Sequence, residues 1–145
     1  MEDCVRGGRI AILARCESGN YKFLVNRHTT GAFMTNVQVP GLTRTDLQRH
    51  DLSLPGREVI QNRVDIAPDA PPLRHKHPGE EIIYVIEGTL EYSIDGREPA
   101  IFNAGEVLLV PAETAHSVRN VGAGNAAELA TYIVEKGKPL LVLVD

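Results

Sequence analysis

Tryptophan is absent from this 145-residue chain, cysteine occurs twice, and no run of apolar residues approaches the length of a membrane helix. Each shortage removes a class of function. A helical membrane span needs about 20 consecutive apolar residues, so none is expected. Cys4 and Cys16 make neither a C-x-x-C pair nor a disulfide framework, and two reduced thiols are expected. Four Tyr and three Phe are too few for a broad surface that stacks on bases. The net charge of −4 gives no basic surface for nucleic-acid phosphates. The longest apolar run in the first thirty residues is Ile10 to Ala14, too short for a signal-peptide core. A cytoplasmic location is the default expectation, and a different native N-terminus would leave export open.

What the chain does contain is ordinary globular material, 43% hydrophobic and 23% charged, at a length that suits one domain. Thirteen Gly and nine Pro imply many tight turns, and many turns in a short chain imply β structure. The pattern changes near Leu54-Pro55-Gly56. After it, short apolar runs recur between turn signals: Glu58 to Ile66, Pro71 to His77, Glu81 to Glu87, Thr89 to Ile94, Glu98 to Phe102, Glu106 to Val110, His116 to Val121, Ala126 to Val134 and Leu140 to Val144. Asp95-Gly96 is the sharpest hairpin signal. No window after Pro55 has a helical period. The expected organisation is an N-terminal extension, residues 1–54, followed by an all-β barrel, residues 55–145. In the extension, Arg9 to Arg15 and Tyr21 to Val25 are expected to pair as a hairpin, and Met34 to Val39 to form a strand. Thr45 to Gln48 could open one helical turn. The apolar stretches of the extension exceed what a small barrel covers. They predict a homodimer in which an N-terminal strand pairs with the partner's sheet edge.

Two clusters carry chemistry. The first is Leu73-Arg74-His75-Lys76-His77-Pro78-Gly79-Glu80-Glu81. On a strand, side chains alternate, so His75 and His77 share a face. A Pro78-Gly79 turn can then return Glu81 to the same point. The second cluster runs from Gly105 to Asn120, with Pro111 in a turn and His116 opening a new strand. Each residue alone has an ordinary reading, as a surface histidine or a solvated charge. Together they offer the mixed nitrogen and oxygen donors that a divalent transition metal takes.

With these residues in place the chain resembles a cupin, a small double-stranded β-helix or jelly roll. The first cupin motif, H-x-H, three or four residues, E, six residues, G, stands here as His75, His77, Glu81 and Gly88. The second, G, five residues, P-x-G, two residues, H, three residues, N, stands as Gly105, Pro111, His116 and Asn120. Glu113 occupies the place of the motif's glycine. Sixteen residues lie between Gly88 and Gly105, close to the short spacing of compact single-domain cupins. The resemblance implies that His75, His77, Glu81 and His116 are metal ligands, with Glu81 also a base. Alternation supports Glu81 over Glu80, because Ile83 and Val85 then face the interior with it.

Other signals are weaker. Gly122 to Ala127 mimics a dinucleotide fingerprint, but only eighteen residues follow it, too few for a βαβ unit. His28 and His50 match no ligand spacing. Fe, Mn, Cu or Ni would fit the four donors, one ion per chain; Zn fits too but supports no redox step. The leading expectation is a metal-dependent oxidoreductase, of dioxygenase or oxidase type, on a small organic or sugar-like substrate. Gln61, Arg63, Arg74, Glu113 and Tyr132 are the candidates for orienting that substrate. A redox-neutral isomerase or lyase on a sugar acid or keto acid is the alternative, and a non-enzymatic metal or small-molecule binding module the third reading.

Overall fold

A computed structural model of the protein describes residues 38–145. The expected hairpin of Arg9 to Arg15 with Tyr21 to Val25 lies outside the described residues, as does the expected strand Met34 to Val39 as far as Val37; its described end, Gln38 and Val39, is not in a strand. Ten strands and no helix make up the described part: β1 (Leu42–Asp51), β2 (Arg57–Ile66), β3 (His75–Lys76), β4 (Gly79–Glu87), β5 (Thr89–Ile94), β6 (Ala100–Asn103), β7 (Val107–Val110), β8 (His116–Asn120), β9 (Ala126–Glu135) and β10 (Val142–Leu143). They form two five-stranded antiparallel sheets, ordered β1-β2-β9-β4-β7 and β10-β3-β8-β5-β6. The fold is all-β, a jelly roll of the double-stranded β-helix type.

Period-two patterning builds the core directly. On β2 the residues Glu58, Ile60, Asn62, Val64 and Ile66 are buried while Val59, Gln61, Arg63 and Asp65 are half-buried on the outer face. On β4 the buried set is Gly79, Glu81, Ile83 and Val85, as alternation requires. The core joins these to Leu90, Tyr92 and Ile94 of β5 and Ala130, Tyr132 and Val134 of β9. Each fully buried aliphatic side chain contributes about 1.5–3 kcal/mol.

Two glycines are dictated by neighbours. Gly88 has φ +77°, and a Cβ there would lie 2.6 Å from the Ala126 Cβ. Gly79 lets β4 approach β9; a Cβ there would lie 2.7 Å from the Val134 Cα and collide with the Ile133 carbonyl.

Residues Thr45 to Gln48 correct the expected helical turn. They lie within β1, whose register on β2 runs from Leu42↔Ile66 to Asp51↔Glu58 with a bulge between Asp46 and Gln48. Local propensity for a capped turn is weak beside ladder bonds along a ten-residue partner. Gly122 to Asn125 forms a turn, and Ala126 starts β9 rather than a helix. Asp95 and Gly96 turn the chain between β5 and β6, closed by Arg97 N–H donating to the Ile94 carbonyl at 3.0 Å.

Candidate metal centre

The chain crosses from one sheet to the other between His75 and Glu81. β3 belongs to the second sheet and β4 to the first, with a bend at Pro78 between them. His75 therefore approaches from one wall and Glu81 from the opposite one. His116 lies beside His75 through the β3–β8 register. His77 lies at the corner just past β3. Its ring is 4.8 Å from that of His75 and 5.3 Å from that of His116, centroid to centroid.

Backbone carbonyls orient all three imidazoles. His75 Nδ1 lies 2.8 Å from the Leu73 carbonyl, His77 Nδ1 2.5 Å from that of Leu140 and His116 Nδ1 3.1 Å from that of Thr114. A carbonyl only accepts, so in each ring Nδ1 carries a proton, which leaves Nε2 as the atom that can turn to a metal. The three histidines are buried and present donor atoms within 4.8 Å of one another, a group that could hold a metal ion.

Glu81 joins them. Its Oε2 lies 3.0 Å from His116 Nε2 and 3.4 Å from His77 Nε2. Yet neither Glu81 Oε2 nor His77 Nε2 has a hydrogen-bond partner in acceptable geometry, although both are buried. Proximity without alignment is what lone pairs aimed at a common point produce. These orphaned atoms fit a transition metal, and the donor set is of the right chemistry.

Burial shapes the titration. It pushes His75 down to about 3, helped by the adjacent His116 and His77. For Glu81 burial alone would raise the pKa, but the His116 and His77 side chains overcome it and hold the carboxylate well below its usual range. A neutral His75 and an ionised Glu81 are the forms that bind metal.

Of the five residues expected to orient substrate, Tyr132 reaches this centre. It is fully buried, its ring is 4.7 Å from that of His77, and its hydroxyl faces Glu81. The other four sit elsewhere. Gln61 is on the outer face of β2, donating to Thr131 Oγ1 at 2.9 Å. Arg63 is held there by Asp65 at 2.8 Å and Glu87 at 3.3 Å. Arg74 pairs with Asp95, and Glu113 with Lys76, each at 2.7 Å on the surface.

The residue-by-residue reading passed over Tyr92 and Glu128, both buried in the barrel and hydrogen-bonded to each other. The Tyr92 ring stacks against His116 at 6.5 Å. Burial, and then the charge of Glu81, push Glu128 up to about 8. Alternation could have found both, since Tyr92 shares a face with Leu90 and Ile94, and Glu128 with Ala130 and Tyr132.

A family profile described as "Cupin domain" matches residues 62–134, half of the chain. The chain belongs to the cupin family. Among curated proteins this cupin is 39% identical over 72 residues to the "Polyketide synthase CurC" of Streptomyces cyaneus, covering 49% of this chain and 46% of that protein. It is 37% identical over 79 residues to "Germin-like protein 1-1" of Oryza sativa subsp. japonica, covering 51% of this chain and 37% of that one. The match thus spans less than half the length of either relative. Among solved structures it resembles an oxalate oxidase in complex with the substrate analogue glycolate. That match has a TM-score of 0.56 and 30% identity, over 72% of this chain and 55% of the other.

Proposed function

We propose that this cupin is a mononuclear-metal oxidoreductase, of oxidase or dioxygenase type, acting on a small organic or sugar-like molecule. His75, His77, Glu81 and His116 would hold one divalent transition metal, Fe, Mn, Cu or Ni. The observation that carries the reading is the convergence of unpartnered, buried donor atoms, Glu81 Oε2 and His77 Nε2 among them, from opposite walls of the barrel. The likeness to an oxalate oxidase supports redox chemistry on a small acid.

When bound, such an ion supplies electron transfer and Lewis acidity through its open coordination positions. The chain's own residues do the rest. The carbonyls of Leu73, Leu140 and Thr114 fix the imidazole tautomers. Ile83, Val85 and Val110 keep the interior dry, which strengthens every polar interaction there. The Glu81 carboxylate stays ionised, the form in which Oε2 can hold the ion. Tyr132 positions that carboxylate.

Elemental analysis tests the reading. Wild-type protein refilled with each candidate ion is expected to retain about one per chain, and His75→Ala and His116→Ala to lose it. Oxygen consumption by the refilled protein on small acids and sugars then separates redox from redox-neutral chemistry. Wild-type protein that binds no ion would overturn the proposal.

One observation favours the redox-neutral isomerase or lyase as a second reading. Glu128 lies buried inside the barrel, hydrogen-bonded to Tyr92, and burial with the charge of Glu81 raises its pKa to about 8, so it can give up and take back a proton as isomerisation or lysis requires. Turnover without oxygen consumption would select it.

We further propose a homodimer formed through a sheet edge. The ten-residue strand β1 pairs only with β2 among the described residues, which leaves one backbone edge open. The outer face at the far side of the same sheet exposes Ile82, Tyr84, Ile86, Val107 and Leu109.

A further inference from the structure

A pocket of about 220 Å³ opens between β1, β2 and the 138–141 segment. Its walls include Arg44, Asp46, Ile60, Asn62, Leu140 and Leu141. None of the four candidate ligands lines it. Ile60 lies opposite Tyr132 across β2 and β9, and Tyr132 in turn packs on His77. The pocket therefore adjoins the metal centre, sharing the Leu140 segment whose carbonyl holds His77.

Two of its polar groups keep unused bonding capacity. Asn62 is 1% exposed. Its Nδ2 donates to Asp46 Oδ1 at 2.5 Å, and because a carboxylate only accepts, the free atom is Oδ1. That oxygen has no donor among the described residues. A buried acceptor without a donor costs about 1–3 kcal/mol, so a ligand that supplies N–H or O–H gains from it. Arg44 makes no ion pair among the described residues, although its charge acts on Glu128 and Tyr132 in the barrel, whereas the other cations of the pocket are taken. Arg49 is bound to Glu58 at 2.6 Å and Lys138 to Glu135 at 2.7 Å.

The free groups are thus one guanidinium and two acceptors, Asp46 and Asn62 Oδ1, over an apolar floor of Ile60, Leu140 and Leu141. Arg44 and Asp46 are two residues apart on one strand, so their Cα atoms are about 7 Å apart and the long arginine arm spans the gap. A simple anion would meet Asp46, and a simple amine would meet Arg44. A zwitterion satisfies both.

We propose that this pocket binds a small aliphatic α-amino acid. Its carboxylate pairs with Arg44, its ammonium group donates to Asn62 Oδ1 and Asp46, and its side chain covers Ile60, Leu140 and Leu141. None of the candidate metal ligands makes a contact in this binding mode.

Titration calorimetry and amide NMR shifts of the full chain with L-leucine test it. Leucine is expected to bind and to move the amides of Arg44, Asn62 and Leu141. 4-Methylpentanoate, which lacks the amine, and 3-methylbutylamine, which lacks the carboxylate, are each expected to bind at least about tenfold more weakly. Arg44→Gln and Asp46→Asn lie on an exposed edge strand where folding tolerates them, and both should lose most of the affinity. His116→Ala should keep it. No shift at millimolar leucine overturns the proposal, as does equal binding of the carboxylate-only analogue. So does loss of binding in His116→Ala with retention in Arg44→Gln, which would place leucine on the metal instead.

Discussion

Glu113 shows how one position holds a family pattern without the usual residue. Its φ is +58°, the only positive value at a non-glycine among the described residues. The turn places the Glu113 N–H 2.9 Å from the His77 carbonyl, which ties the second motif to the first. Left-handed geometry disfavours any residue with a Cβ. Glu113→Gly is therefore expected to raise the melting temperature by a few degrees, measured by calorimetry, with metal binding unchanged. The Lys76–Glu113 pair it gives up is exposed and worth little. Glu128 gives the residue-scale pH dependence. Its folded pKa of about 8 lies above the ordinary 4.5. The folded chain thus keeps a proton that the unfolded chain has released. That stabilisation is complete below about pH 4.5 and is lost as pH rises through about 8. Glu128→Gln, which keeps an acceptor for the Tyr92 hydroxyl, should flatten the fall in melting temperature from roughly pH 5 to roughly pH 9. An unchanged pH profile would place the titrating group elsewhere.

Among the elements, the β4–β9 seam is the one the site depends on most. Glu81 faces Tyr132 across it, and Gly79 faces Val134 two residues along. Any side chain at position 79 would push β4 away from the Ile133 carbonyl and carry Glu81 with it. Gly79→Ala is expected to cost about 3 kcal/mol, read by urea unfolding, and to weaken metal binding in the fraction that folds. A stable variant with full metal content would show that the seam can shift freely. The strands themselves were legible: the run Thr89 to Ile94 is β5. β1 was not, because nine of its ten residues are exposed and carry no alternating apolar signal. Its pairing with β2 is a tertiary fact.

For the whole molecule, the open edge of β1 and the apolar outer face of β4 and β7 lead to the same measurement. Light scattering after size exclusion is expected to give twice the chain mass at micromolar concentration, and Leu109→Glu with Tyr84→Glu to weaken association if that face is buried in the dimer. A monomer counts against both the edge-pairing and the buried face.

The sequence by itself predicted a β barrel, and its resemblance to the cupin motifs pointed to His75, His77, Glu81 and His116, which the fold buries. Alternation decides which side chains face inward, and Pro78 and Pro111 mark where the chain must leave a ladder. It did not determine the surroundings of those donors. That Gln61 and Arg63 lie on the outer face follows from the register of β2 against β9, and that Asn62 and Arg44 share a pocket follows from β1 joining the sheet edge. Such neighbours are remote in the chain. They meet only when ladders close, and the buried polar atoms left without partners can be recognised only after every nearby donor and acceptor has a place.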